Sequence, residues 1–159
     1  MDKKKLLENM ITQLEADRKM LIEATQATYE AATHEESKPE NEYDTRGLEA
    51  SYLAGAQSKR VGEIEEALAL FKSIVLVDFK NNDPLGSTAV VELESDGKTI
   101  YVFLMPKGGG ITIKQDNKSI QVVTGTSPLG EALRGLKVGS AAVVDTGKRE
   151  LEYEVVNVW

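Results

Sequence analysis

The sequence predicts an α+β protein, in which an N-terminal antiparallel helical hairpin precedes a small antiparallel-sheet domain with one short helix. Three observations support this prediction. Between residues 4 and 33 the chain has no glycine or proline, and its apolar residues recur at helical spacing. A second helical pattern follows an acidic segment that contains a proline, at residues 34–44. Beyond residue 75, short apolar runs alternate with turn-forming residues, which is typical of strands.

The first predicted helix carries a heptad-like seam. Two sets of residues spaced by seven form it: Leu7, Leu14, Leu21 and Thr28, and Met10, Asp17, Ala24 and Ala31. Asp17 is a polar flaw in this seam, for which the neighbouring Ile11 can compensate. The seam side chains also become smaller along the helix, from leucine and methionine to alanine and threonine. The pattern predicts a helix that begins near residue 3 and is about 45 Å long at 1.5 Å per residue.

A second amphipathic helix is predicted from about residue 41 to residue 74. Its stripe has spacings of three and four and consists of Leu53, Gln57, Val61, Ile64, Leu68, Phe71 and Val75. Gly47, Gly55 and Gly62 each weaken this helix by about 1 kcal/mol relative to alanine, and their small size favours close helix contact. Pro39 suits the connecting turn, because its φ angle is fixed and it lacks an N–H group.

Two long helices joined by a short polar turn fold back antiparallel, so residues 34–44 form the tip of the predicted hairpin. Residues 30–44 contain six acidic residues and one basic residue, whereas the rest of residues 1–75 contains nine of each. A charge run of this kind is usually a solvated loop. Carboxylates clustered at the end of a long hairpin can also help to hold a divalent cation such as Mg²⁺ in another protein.

Residues 76–159 form the predicted sheet domain, and residues 1–75 form the predicted hairpin domain. Strands are predicted at 73–79, 87–94, 98–106, 110–115, 119–125, 140–147 and 150–159, with turn-forming sequences between them. One short helix is predicted from Pro128 to Leu136. Ser127 is a favourable N-cap for this helix, and proline is favoured at the first helical position.

Composition excludes several classes of function. The net charge is −7 without a basic patch, so direct DNA binding is not expected, because phosphate neutralisation dominates the affinity of DNA-binding proteins. No apolar run approaches about 18 residues and the N-terminus does not resemble a secretory signal, so a cytoplasmic protein without a membrane segment is expected. The absence of cysteine and the single histidine, His34, argue against a zinc site or a catalytic triad.

Three segments carry a resemblance to a known family. The acidic tip is followed by NEY at 41–43, and residues 47–68 read GLEASYLAGAQSKRVGEIEEAL. Residues 127–140 read SPLGEALRGLKVGS and lie late in the predicted sheet domain. The sequence resembles the bacterial Gre-type transcript cleavage factors, the GreA/GreB family, over essentially its whole length.

The resemblance implies an FKBP-like fold for the sheet domain, without isomerase activity. It implies a transcription elongation factor that docks on RNA polymerase at its secondary channel and inserts the hairpin down that channel. The chain would be an accessory factor and not an enzyme. Its tip acids would help to hold a Mg²⁺ ion and a water in the polymerase active centre, with indirect contact to nascent RNA, and so promote hydrolysis of backtracked RNA. No cofactor or stably bound metal of its own is implied.

The resemblance also implies site residues. The family tip has an aspartate, two residues and then Glu-Asn-Ala-Glu-Tyr. Counted back from Tyr43 without a gap, the aspartate falls on Glu36 and the first glutamate falls on Pro39. A one-residue slip in the turn aligns that glutamate with Glu40 instead. Glu36 and Glu40 are therefore the implied acids that support the metal and the water, with Glu35 as a spare.

The implied docking segment on RNA polymerase is Ser127, Pro128, Leu129 and Gly130. Glu131 and Ser140 depart from the family pattern there, since a basic residue and an aspartate are common at these positions. Two other interpretations stay open. One is a Gre-factor paralogue that occupies the secondary channel and regulates transcription without cleavage. The other is a coiled-coil interaction protein with a solvated tip and no role at the polymerase.

Overall fold

A computed structural model describes residues 1–34, 38–41, 43 and 45–159 of the chain. Two helices come first, α1 (Lys3–Thr33) and α2 (Arg46–Ser73). They are followed by β1 (Val90–Ser95), β2 (Lys98–Met105), β3 (Thr112–Gln115), β4 (Lys118–Thr124), α3 (Pro128–Leu133), β5 (Ala141–Asp145) and β6 (Glu150–Val158). This order confirms the predicted α+β class, while the FKBP-like label stays a prediction. Within the described ranges, no helix is long and apolar enough to cross a membrane.

The predicted strand at 73–79 is wrong. The residues after α2 pair with side chains instead of with a neighbouring strand. The N–H of Val77 donates to Oγ1 of Thr88 at 3.0 Å, and the carbonyl of Val77 accepts from Nζ of Lys3. Val75 is 78% exposed. Backbone N–H and C=O groups need a hydrogen-bond partner, which can be a neighbouring strand or a side chain. An apolar run in the sequence therefore does not show which of the two will supply it.

Lys3 is buried in the first turn of α1. Its ammonium group donates to the carbonyls of Val77 and Thr88, the latter at 3.2 Å, and lies 5.1 Å from the centre of the Phe79 ring. Burial lowers the pKa of the Lys3 amine below its usual value, because the charged form loses water, and the nearby charge of Asp78 opposes this effect. Lys3 therefore attaches the first turn of α1 to the segment before β1.

The six strands of the described chain form one sheet in the order β3-β4-β2-β1-β6-β5. Neighbouring strands are antiparallel except β2 and β4, which run parallel with Tyr101 opposite Ile120. The sequence predicted a purely antiparallel sheet. The sheet is instead mixed, because it contains this one parallel pair. The reason is that β3 and β4 form a hairpin that turns at Asp116 and Asn117, both with positive φ, and the second strand of this hairpin is the one that joins β2.

The core of the sheet lies between its strands and α3. Leu133 of α3 is fully buried, and Leu129 is half-buried against the same core. The core residues are Leu85, Ala89, Val91, Leu93, Val102, Leu104, Val123, Leu133, Ala142, Val155 and Val158. Those in the strands often alternate along the chain, because successive side chains of a strand point to opposite faces of the sheet.

Contacts divide the chain into two compact units, Met1–Met10 with Ile74–Trp159, and Ile11–Ser73. The first ten residues therefore group with the sheet, whereas their sequence pattern predicts that they belong to the hairpin. The bonds of Lys3 give a physical reason for this grouping. Compactness does not test independent folding, so the division into a 1–75 domain and a 76–159 domain stays a prediction.

Burial within the unit Ile11–Ser73 declines along the hairpin. Its buried apolar residues are Leu14, Ala54, Ile64, Ala67, Leu68 and Phe71. Ala54 is the member of this set nearest the tip, and its neighbour Leu53 is exposed, which confirms the predicted thin far end. The predicted close helix contact at Gly55 and Gly62 is wrong, because a β-carbon added at either position would meet nothing within 4 Å outside its own helix backbone.

Ion pairs between described residues connect α1 with α2. Nζ of Lys72 lies 2.8 Å from Oε1 of Glu15, and Nη1 of Arg18 lies 3.8 Å from Oε1 of Glu65. Residues in the first half of α1 thus face residues in the second half of α2, which confirms the antiparallel arrangement. All four side chains are partly exposed, so solvent screening keeps both ion pairs weak.

The first prediction concerns the pKa of Glu15. The hydrogen bond from Lys72, and secondly the Lys72 charge, hold the pKa of this carboxyl below its usual value. A carboxyl with a lowered folded-state pKa stabilises the fold above its unfolded-state pKa, and this contribution is lost as pH falls through the folded-state pKa. We expect Lys72→Met to raise the pKa of Glu15, as measured by NMR titration of its carboxyl carbon. Lys59→Met is the control, and an unchanged pKa in Lys72→Met would contradict the assignment.

Candidate functional site

The described part of the tip places Glu40 beside Arg46. Oε1 of Glu40 lies 3.5 Å from Nη2 of Arg46, and the two side chains are 77% and 65% exposed. An exposed pair of this kind is worth only about 0–1 kcal/mol. Glu40 is therefore accessible to a partner and already has a cationic neighbour.

Local hydrogen bonds shape the chain before α2. The N–H of Tyr43 donates to Oδ1 of Asn41 at 2.9 Å, as in an Asx turn. The hydroxyl of Thr45 donates to Oε1 of Glu49 at 2.8 Å, and its carbonyl accepts the Glu49 N–H at 2.9 Å. Thr45 therefore begins the first turn, and α2 starts at Arg46, later than the predicted residue 41.

Glu36 and Glu35 lie outside the described residues, so their predicted roles stay predictions. Across residues 1–34, 38–41, 43 and 45–159, no group of three or more His, Cys, Asp or Glu side chains is placed to hold a metal ion. Of the three predicted tip acids, Glu40 is thus the one whose surroundings the structure describes.

Ser127 caps the N-terminus of α3. Its Oγ accepts the N–H of Gly130 at 3.2 Å and donates to the carbonyl of Thr124 at 2.8 Å. The Ser127 backbone is extended, with φ of −80° and ψ of 154°, as an N-cap requires. The predicted cap is confirmed, and Pro128 is the first residue of α3. The helix ends at Leu133, three residues before its predicted end.

Gly130 of α3 lies close against the end of β4. A β-carbon at this position would lie 1.9 Å from the carbonyl oxygen of Thr124, which is far inside van der Waals contact. The Thr124 carbonyl also accepts the N–H of Ser127 at 3.0 Å. Glycine is therefore required here because the helix starts directly against the strand that precedes it.

The four predicted docking residues have different surroundings. The Ser127 side chain is engaged in its cap, Leu129 packs against the core, and Gly130 is buried against Thr124. Pro128 is exposed. Three of the four therefore have structural roles, and Pro128 is the one whose side chain is exposed. The docking role of this segment stays a prediction.

A cavity of about 290 Å³ lies next to this turn and was not predicted from the sequence. It is lined by Gly86, Ser87, Leu104, Met105, Pro106, Gly125, Gly130 and Arg134. The guanidinium of Arg134 is held at the cavity by a bond from Nη2 to the carbonyl of Gly125, at 2.7 Å. The lining residues come from separate segments, so no local motif predicts the cavity. The sequence signal that could have pointed to the cavity was the 127–140 segment, which contributes Gly130 and Arg134 to its lining.

Comparison with known proteins identifies the family, although no family model matches the chain. The transcription elongation factor GreA of Syntrophus aciditrophicus is 30% identical over 156 residues, which cover 96% of this chain and 89% of that protein. The chain belongs to the Gre family of transcription factors. The transcription inhibitor protein Gfh1 of Thermus aquaticus is 29% identical over 154 residues, which cover 95% of this chain and 90% of that protein.

The Gre relationship confirms the resemblance and leaves the activity open. One relative is named an elongation factor and the other an inhibitor, at nearly equal identity and coverage. The crystal structure of Gfh1 from Thermus thermophilus is 28% identical, and the match covers 96% of this chain and 94% of that one. Its TM-score of 0.38 is too low to support any argument about shared geometry.

The second prediction concerns Gly130. We expect Gly130→Ala to lower the free energy of unfolding by about 1–3 kcal/mol, because the added methyl group overlaps the Thr124 carbonyl. Gly55→Ala is the control, since open space surrounds that helical position, and it should raise the free energy of unfolding by about 0.5–1 kcal/mol. Urea unfolding followed by circular dichroism measures both. Equal stabilities of Gly130→Ala and the wild type would show that the start of α3 tolerates displacement.

Proposed function

We propose that the chain binds RNA polymerase and occupies its secondary channel as a regulator that does not promote RNA cleavage. The observation that carries this choice is at the tip. In the gapless alignment with the Gre pattern, Pro39 stands where the family has an acid, and the next acid, Glu40, lies beside Arg46. The sequence similarity to the Gfh1 inhibitors over 95% of the chain supports the same choice.

The physical reason is the precision that a metal site demands. A shift of one residue moves a Cα by about 3.8 Å. Groups that take part in a metal site must be held within about 0.5 Å of the productive geometry. A tip whose acid is displaced by one residue and paired with a guanidinium is therefore poorly placed to complete the polymerase metal site. It can still fill the channel, since α1 has 31 residues and so a length of about 45 Å.

Stimulation of Mg²⁺-dependent cleavage of backtracked RNA is the second candidate function. The observation in its favour is the 77% exposure of the Glu40 side chain, because a weak surface pair with Arg46 yields readily to a divalent cation. In this mechanism Mg²⁺ belongs to the polymerase, and Glu36 and Glu40 contribute oxygen atoms to it or to its water. Glu35, which directly precedes Glu36 in the sequence, is a further candidate acid for this role.

The third prediction separates the two candidates. A stalled, backtracked elongation complex is mixed with Mg²⁺ and the chain, and transcript length is followed on a gel. We expect the chain to leave the transcript uncut and to slow the cleavage that an active GreA promotes in the same complex. Slowing is expected because both proteins would compete for one channel.

The control for this assay is the variant Glu36→Ala with Glu40→Ala. If the wild type cuts the transcript and this variant does not, the second candidate is correct and the first is wrong. If the wild type neither cuts nor competes, and does not bind core polymerase, the chain is a coiled-coil interaction protein with another role.

The fourth prediction concerns docking through α3. Pro128 is exposed beside the 290 Å³ cavity, and a charged side chain there would oppose contact with an apolar partner surface. We expect Pro128→Glu to raise the Kd for core polymerase at least tenfold, a loss of about 1.4 kcal/mol. Thr112→Glu, which adds the same charge on edge strand β3, is the control. Equal Kd values for both variants and the wild type would remove the docking role of this turn.

A further inference from the structure

The cavity of about 290 Å³ beside α3 has a buried apolar side and an exposed polar side. Leu104 and Met105, at the end of β2, are 5% and 2% exposed and supply an apolar wall. Ser87 and Arg134 line the same cavity and are exposed. Small-molecule sites in proteins typically combine apolar walls with a few polar groups of this kind. The lining therefore suits a ligand that has an apolar body and a polar end.

Arg134 supplies the positive charge of this lining, and Gly125 fixes where that charge lies. Nη2 of Arg134 donates to the carbonyl of Gly125 at 2.7 Å, and a β-carbon added at Gly125 would lie 2.9 Å from the same nitrogen. Glycine therefore leaves room for the guanidinium at this point, and the glycine carbonyl holds it there. A guanidinium carries several N–H donors, so others remain for a ligand after this one bond.

No carboxylate of the described residues neutralises this charge. The oxygens of every described Asp and Glu lie outside ion-pair distance of the Arg134 guanidinium. Within the same part of the chain, the hydroxyl of Ser87 has no hydrogen-bond partner. A guanidinium can bind a carboxylate through two parallel N–H···O bonds, and a hydroxyl can donate a further bond to it. The two polar groups of the lining therefore match a carboxylate.

Charge and volume narrow the class of ligand. A phosphate monoester carries a charge of about −1.5 to −2 at pH 7, which is more than one guanidinium balances on a chain of net charge −7. A monocarboxylate carries a single charge. Since a water molecule occupies about 30 Å³ of liquid, a volume of about 290 Å³ corresponds to roughly ten non-hydrogen atoms. The ligand that fits is a single carboxylate on one ring or one short chain.

We propose that this cavity binds a small monocarboxylate with an apolar ring or a short apolar chain. The apolar body lies against Leu104 and Met105, and the carboxylate accepts hydrogen bonds from Arg134 and Ser87. The inference goes beyond the proposed function, because it assigns a small-molecule ligand to the sheet unit. Its tests use the chain without polymerase, so their results are independent of the proposed function.

A matched pair of probes tests the proposal. Phenylacetate has the expected size and charge, and phenylacetamide is its uncharged counterpart of the same size. Each is titrated into the full chain and followed by NMR of the backbone amides, among which those of Gly125 and Gly130 report on the cavity. We expect phenylacetate to shift these two amides with a Kd of millimolar order, as is usual for so small a ligand. The Kd for phenylacetamide should be at least tenfold higher, because it lacks the charge that Arg134 binds.

Three variants locate the interaction. Arg134→Met should raise the Kd for phenylacetate at least tenfold and leave the Kd for phenylacetamide within about twofold of the wild-type value. Lys137→Met is the matched control, because it removes the same charge from an exposed residue that does not line the cavity, and it should leave both Kd values within about twofold. Gly125→Ala keeps every charge but displaces the guanidinium, so it should also weaken phenylacetate binding. Thermal unfolding followed by circular dichroism shows whether each variant keeps its fold.

Several outcomes would overturn the proposal. Equal Kd values of the wild type for phenylacetate and phenylacetamide would mean that the guanidinium adds nothing to binding. An equal loss of phenylacetate binding in Lys137→Met and Arg134→Met would mean that net charge, and not the cavity, attracts the probe. No shift of the Gly125 and Gly130 amides at saturating phenylacetate would mean that the cavity does not take up a monocarboxylate.

Discussion

Two helices without a third layer bury only the side chains that face each other, and this constraint sets the character of the hairpin. Where the facing residues are large, as at Leu14 and Phe71, the contact is closed. Toward the tip the seam of α1 is reduced to Thr28 and Ala31, so side chains such as Tyr29 stay in contact with water. The hairpin unit therefore combines a packed half with a half that leaves apolar side chains exposed.

The Thr124 carbonyl has a comparable role in the sheet unit. It accepts two bonds from Ser127 and stands where any side chain at residue 130 would be. The serine and the glycine of the family segment are thus explained by the start of α3 against β4. In this turn Ser127 and Gly130 serve the fold, and Pro128 is the position whose side chain the fold leaves exposed.

Similarity to the named relatives does not separate an inhibitor from an elongation factor, because both are about 30% identical to this chain. In the proposed function, the placement of one or two tip carboxylates makes this separation. Metal coordination weakens steeply when a ligand oxygen is displaced by fractions of an ångström, whereas filling a channel needs only length and shape. Under that proposal, Pro39 and Glu40 set the activity of the chain without changing its fold.

The helices, the N-cap at Ser127 and six of the seven predicted strands could be predicted from the sequence, because they follow from local periodicity, turn residues and capping. The pairing of the Val77 backbone could not, since its partners Lys3 and Thr88 are distant in sequence. The parallel pairing of β2 with β4 and the cavity beside Gly130 were equally beyond prediction. These features arise where separate segments meet, and no local pattern encodes which segments those are.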